Sequence, residues 1–300
     1  MKGSAMNFEK IQQLIQPAET KILLMVLDGL GGLPKGLGYG TALEEASTPN
    51  LNDIATQSIC GLHQPAGPGI TPGSGPAHLA LFGYDPFDYQ VGRGVLAALG
   101  IGFDLKDEDV AVRGNFCTID EDGRVVDRRA GRIETDRNRE LCQMLRDVNL
   151  PGVNIFIEPV KEYRVVVVFR GEKLCADIRD TDPQSVGKQP LAAKPTSLEA
   201  EQTAGLINQF LEQVRHILSG RQPANMMLLR GFSQQPRWPR LPEIYGIRSA
   251  AIAGYPMYRG VSRLIGMEIL ETGEGLGEEL ETLEKHWNDF DFFFLHVKKI

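Results

Sequence analysis

Two residues stand out by type and position. Asp28 closes the run KILLMVLDG (residues 21–29), and Ser74 opens the stretch Gly75-Pro76-Ala77-His78-Leu79-Ala80-Leu81 behind a Gly/Pro loop. A carboxylate at the carboxyl end of a strand lies where open α/β sheets place their chemistry. A serine at a helix start, with proline in the first turn, is surrounded by backbone N–H groups that favour an anion. Each has a plainer reading, Asp28 as a solvated or capping carboxylate and Ser74 as a helix cap. His78 follows Ser74 at the spacing of a Ser–His base pair, yet reads more simply as a residue on the helix's inner face. Arg124, Arg128, Arg129 and Arg132 are either a solvated face balancing nearby acids or a set suited to bidentate recognition of phosphate and carboxylate.

Several other chemistries are excluded by spacing. Gly29-Leu30-Gly31 begins a GxGxxG pattern, but Pro34 stands at its third glycine, and no GxxxxGK[ST] or HExxH occurs. In PGSGP, Gly73 stands directly beside Ser74, which breaks the GxSxG elbow of hydrolases. Cys60, Cys117, Cys142 and Cys175 are scattered without a CxxC pair, so neither a zinc site nor a disulfide framework is indicated. With 32 Lys and Arg against 39 Asp and Glu, the chain is too acidic for a general nucleic-acid binder. The first twenty residues lack the apolar core of a signal peptide, and no apolar run approaches a membrane span. These features point to a soluble, cytoplasmic enzyme.

The elements that must hold these residues follow from hydrophobic pattern. Residues 7–16 predict a short amphipathic helix, and the unbroken apolar run before Asp28 predicts a central strand buried on both faces. Helices are predicted from Ser47 or Thr48 through 57, at 75–81, within 90–101, at 135–147, at 197–218 and at 261–270. Strands are predicted at 110–120, 124–133, 162–171, 225–231 and 249–254, and in the closing DFDFFFLHVKKI. From about residue 104 charged segments alternate with strands, so the texture changes there.

VLDGLGG, then TPNLNDIA, then GITPGSGPAHLALFGYDP, in that order, closely resemble the archaeal-type cofactor-independent phosphoglycerate mutases of the alkaline phosphatase superfamily. The likeness continues through RGNFCTIDEDGRVVDRRAGRI, the DTDP of 180–183 and YPMYRGVSRLIGMEILETGE, spanning essentially the whole chain. The resemblance implies an α/β fold, an alkaline-phosphatase-like sheet sandwiched by helices. It would comprise residues 1–103 and 226–300, with a smaller inserted α/β substrate-binding domain at 104–225. It implies interconversion of 3-phosphoglycerate and 2-phosphoglycerate through a phosphoserine, in glycolysis and gluconeogenesis. Two divalent metal ions, Mn²⁺ or Mg²⁺, would serve and 2,3-bisphosphoglycerate would not. Carried over, Ser74 resembles the nucleophile and a metal contact, and Asp28 resembles a metal ligand. Arg113, Arg128, Arg129, Arg164, Asp180 and Arg259 sit in blocks resembling the substrate-binding elements. The partner implied is a small phosphorylated carboxylate, with no nucleic acid and no membrane.

The chain departs from the family's pattern in three places. Tyr163-Arg164 stands where His-Arg is usual, and Asp182-Pro183-Gln184 where Asp-Pro-His is usual. The family's remaining metal ligands follow the strand corresponding to FFFLHVK, and the sequence stops at Ile300, so a truncation of the carboxyl end is expected. These departures motivate two alternatives: a metal-dependent phosphohydrolase or mutase acting on another phospho- or phosphonate metabolite, and an inactive truncated homologue.

Overall fold

A computed structural model describes residues 8–273 and 275–298; the expected helix start at Asn7 and the chain end at Ile300 lie outside them. The chain divides into two compact units, residues 1–89 with 239–300, and residues 90–238. Residues 90–103 and 226–238 therefore belong to the second unit, whereas the expected division assigned them to the first.

The first unit begins with α1 (Phe8–Gln12), β1 (Ile22–Asp28), α2 (Ala42–Glu45), α3 (Pro49–Thr56) and α4 (Ser74–Leu81). The second contains α5 (Arg93–Gly100), β2 (Val110–Ile119), β3 (Val125–Asp127), α6 (Thr135–Met144), β4 (Val153–Lys161), β5 (Arg164–Gly171), α7 (Glu201–Ile217) and β6 (Met226–Ser233). The chain then returns to the first unit with α8 (Leu241–Tyr245), β7 (Ser249–Ala253), α9 (Pro256–Leu264), β8 (Glu268–Leu270), α10 (Leu276–His286) and β9 (Phe292–Lys298).

In the first unit the strands run parallel in the order β1-β9-β7-β8, flanked by helices. Its core gathers Ile252, Leu270, Leu283, Phe290, Phe293 and Leu295. β9 pairs on both sides and is buried, as a parallel strand with an unbroken apolar run should be. β1 corrects the expectation of a central strand: among the described residues it pairs only with β9, at the sheet edge, and Ile22 is 58% exposed. The apolar run reported a parallel strand but could not report its position in the sheet. A second correction concerns 261–270, where α9 stops at Leu264 and a strand follows. Gly266, at φ +88°, cannot continue a helix, and Glu268–Leu270 pairs with β7 instead.

The second unit is an antiparallel sheet in the order β3-β2-β5-β4, with β6 on the other side of β2. α7 buries Ala204, Ile207, Phe210, Leu211 and Val214, one stripe at helical spacing, and Phe210 meets Phe169 of β5 edge to face. β4, which periodicity alone did not reveal, pairs along the length of β5. The segment after β5 is tied down by a buried carboxylate. Arg128 Nε and Nη2 donate to Asp182 Oδ1 and Oδ2 at 2.9 and 2.6 Å, and the Gln184 amide donates to Oδ1 at 2.8 Å. Burial pushes the Asp182 carboxyl up, but these donors and the charges of Arg128 and Arg230 outweigh it and hold it below the usual carboxylate range.

α5 lies so close to β2 that a Cβ at Gly94 would stand 2.1 Å from the Ala111 carbonyl oxygen. Because the obstacle is backbone, Gly94→Ala should cost about 3 kcal/mol, measured by urea unfolding. Arg128→Met should cost a similar amount, about 3 kcal/mol, because it removes both guanidinium hydrogen bonds from a buried carboxylate and leaves only the Gln184 amide and more distant arginines beside it. The sign with pH follows from the depressed folded value. The Asp182 contribution is complete above the unfolded value of about 3.9 and declines as pH falls through the lower folded value. An Arg128→Met protein should lose this acid-side slope, and an unchanged slope counts against the pairing.

Candidate active site

Ser74 is the first residue of α4, capped by Gly73. Its side chain is exposed. Pro76 has no N–H and the Ala77 N–H goes to the Gly73 carbonyl at 3.0 Å, so among the described residues the N–H groups of Ser74 and Gly75 are the first-turn donors without a backbone partner. His78 is buried one turn on, with Nδ1 2.8 Å from the backbone carbonyl of Ser74. A carbonyl only accepts, so Nδ1 carries the proton; the ring braces the helix start and makes no Ser–His pair through the hydroxyl. Burial lowers the His78 pKa, so the imidazole is neutral at pH 7.

Asp28 ends β1, and the parallel register sets it opposite Lys298 at the end of β9. Tyr258 on α9 donates its hydroxyl to Asp28 Oδ2 at 2.6 Å, and Lys298 Nζ donates to the same oxygen at 3.1 Å. Burial pushes the Asp28 carboxyl up, while Tyr258 and Lys298 more than compensate and hold it low. Lys298 shifts the opposite way: burial opposes its charge, and Tyr258 and Asp28 raise it. Beside them His296 stacks on Tyr258 with ring centroids 3.5 Å apart, and its Nε2 lies 3.8 Å from Asp28 Oδ2. Burial, and next the repulsion a protonated His78 would add, push His296 down to about 4. Arg259, one residue beyond Tyr258, pairs with Glu271, and its Nε is buried without a hydrogen-bond partner.

Two metal ions require a donor set that the described residues do not supply. No three His, Cys, Asp or Glu side chains among them converge on a point, and the one carboxylate, Asp28, already holds an ammonium. The residues present do not fit a two-ion centre.

The second unit assembles a different site, a cluster of guanidinium groups. Arg113 of β2 stands in register with Arg230 of β6, and Arg164 begins β5. Arg93 opens α5, next to a backbone that approaches closely: Gly231, at φ +69°, would put a Cβ 2.7 Å from the Arg93 amide nitrogen. Burial, then Arg93, Arg230 and Arg164, lower Arg113 to about 10, and its Nε has no partner. Arg93 is likewise lowered by burial and Arg230. Cations crowded to this degree in half-buried positions make a receptor for an anion. Asp180 borders them, accepting the Gly231 N–H at 2.7 Å and lying 3.6 Å from Arg230 Nε. Arg164 stacks over Tyr163, 4.7 Å from the ring centroid, and donates to its hydroxyl.

Of the residues singled out in the sequence, Arg113, Arg164 and Asp180 thus come together. The fork of Arg128 is taken up by Asp182, and Arg129 lies exposed, its amide bound to Asp127. Arg93, Arg230, Tyr258 and Lys298 were not anticipated. Arg93 at a helix start after Gly92, and Lys298 at a strand end like Asp28, were the only local signals.

The family model of the 2,3-bisphosphoglycerate-independent phosphoglycerate mutases matches residues 55–225. A protein of Aquifex aeolicus named "Probable 2,3-bisphosphoglycerate-independent phosphoglycerate mutase" is 48% identical over 299 residues, covering 96% of this chain and 73% of the relative. A Thermus thermophilus protein of the same name is 47% identical over 297 residues, covering 97% and 73%. Among solved structures, a cofactor-independent phosphoglycerate mutase from Thermoplasma acidophilum is similar with a TM-score of 0.67 at 33% identity, over 93% of this chain and 77% of that one. A protein from Pyrococcus horikoshii gives a TM-score of 0.75 at 25% identity, over 93% and 70%. The chain belongs to the 2,3-bisphosphoglycerate-independent phosphoglycerate mutase family.

Proposed function

We propose that this chain interconverts 3-phosphoglycerate and 2-phosphoglycerate through a phosphoryl group carried on Ser74. The observation that supports this most is the exposed hydroxyl at the first residue of α4, beside two N–H groups without a backbone partner among the described residues. Ser74 Oγ attacks phosphorus, the bond from phosphorus to the 3-oxygen breaks, and the proton leaving Ser74 balances the one taken by that oxygen. In the second half the 2-hydroxyl attacks the phosphoserine, which restores Ser74 and leaves 2-phosphoglycerate. The helix dipole and first-turn amides favour the phosphoserine's negative charge, and His78 keeps that turn in place by holding the Ser74 carbonyl.

Arg93, Arg113, Arg164 and Arg230 bind the substrate's anionic groups in this reading, with Asp180 limiting their mutual repulsion. Arg128, Arg129 and Arg259 sit in blocks resembling the family's substrate-binding elements and are candidates for the same role. Two divalent metal ions, Mn²⁺ or Mg²⁺, are part of the family resemblance, with Asp28 and Ser74 as this chain's candidate contacts.

Ser74→Ala should abolish both 2-phosphoglycerate formation and the acid-stable labelling of the protein by radioactive phosphoglycerate. Retained turnover sinks the assignment, and release of inorganic phosphate in place of 2-phosphoglycerate identifies a phosphohydrolase. Arg113→Met should raise KM for phosphoglycerate by about tenfold or more, with a smaller change in kcat. An unchanged KM removes this arginine from substrate binding.

A further inference from the structure

Lys298 is held at Asp28 by more than one contact. Its ammonium donates to Asp28 Oδ2 at 3.1 Å and approaches Tyr258 Oη at 3.2 Å, while Tyr258 donates to that same Oδ2 at 2.6 Å. The charge also lies 4.9 Å from the ring centroid of Tyr255 and 5.2 Å from that of Tyr258, within cation–π range of both. Tyr258 is fixed in turn, buried and stacked on His296. Strand register brings the two charged residues together, so the pairing is built into the sheet.

Asp28 Oδ2 therefore already accepts two hydrogen bonds, one of them from a cation. A divalent ion approaching that oxygen would meet the Lys298 charge a few ångströms away, in a half-buried setting where like charges repel strongly. The two ions implied by resemblance and the donors present around Asp28 disagree, and at Asp28 itself Lys298 adds to the disagreement. We propose that Lys298 is a resident cation: it occupies the position at Asp28 that a divalent ion would take, and an ion binds there only by displacing it. The lysine keeps the carboxylate neutralised in the ion-free protein and sets how weakly Asp28 accepts a metal.

The proposal is read from binding, independently of whether Ser74 carries a phosphoryl group. Titration of the chain with Mn²⁺ alone, followed by calorimetry or by the free-ion paramagnetic signal, supplies the measurement. Lys298→Met should bind Mn²⁺ about tenfold more tightly than the wild type. Lys298→Arg should retain the wild-type affinity, and adding Asp28→Asn to Lys298→Met should erase the gain. Lys298→Gln keeps a polar end and should change affinity in the same direction as methionine if the latter unfolds the strand. No gain in a folded Lys298→Met or Lys298→Gln protein, or a gain that survives Asp28→Asn, overturns the proposal.

Discussion

A carboxylate kept ionised away from bulk water must receive a cation and hydrogen bonds, and much of this architecture follows from that requirement. Asp28 receives them from Tyr258 and Lys298, so the ends of β1, β9 and the first turns of α9 must converge. Asp182 receives them from Arg128 and the Gln184 amide, which fixes the segment after β5 against the end of β3. A further carboxylate, buried Asp109 beside β2, accepts from Nε and Nη2 of Arg170 at the far end of β5. Each of these pairs joins positions distant in sequence, and each would be costly to break on one side only.

The arginine cluster is the converse problem. Arg93, Arg113, Arg164 and Arg230 have more positive charge than Asp180 and Asp182 can neutralise, and the consequence is visible in Arg113, lowered to about 10. A sheet tolerates such repulsion only where rigid packing leaves the side chains no escape. Gly94 and Gly231 provide that packing by letting α5 approach β2 and β6 at backbone distance. A bound anion would relieve the unfavourable charge, so in the proposed reading the cluster's instability without ligand and its affinity for a phosphate or carboxylate have one origin.

What could be read from sequence was local. The strand ending in Asp28 and the helix opening at Ser74 follow from apolar runs, a Gly/Pro loop and a proline in the first turn, all within a dozen residues. The arrangement around each was not readable, because it depends on pairing between remote segments. Nothing near Lys298 names Asp28 as its partner; the parallel register does. Nothing in NMMLLRG marks Arg230 as a neighbour of Arg113 until β6 lies antiparallel to β2. The edge position of β1 and the early end of α9 were hidden for the same reason: hydrophobic pattern reports the type of an element and not its neighbours.

Ser74 and Asp28 differ in a way that bears on their chemistry. Ser74 owes its placement to one helix, and its hydroxyl is exposed without a base in contact; His78 spends its single donor on the backbone. Asp28 is bound on one oxygen by two side chains from two elements, and its neighbour His296 is buried with neither ring nitrogen hydrogen-bonded. Both His78 and His296 are pushed towards the neutral form by burial, so neither supplies positive charge at neutral pH. In the Asp28 cluster that charge resides in Lys298. Positive charge that can be withdrawn from a carboxylate is also available to an incoming anion, because an ammonium on a flexible stem exchanges one oxygen partner for another without moving the backbone. The lysine's flexible stem and the carboxylate's position at a strand end are complementary: Asp28 defines where a cation belongs, and Lys298 is the cation the chain itself supplies there.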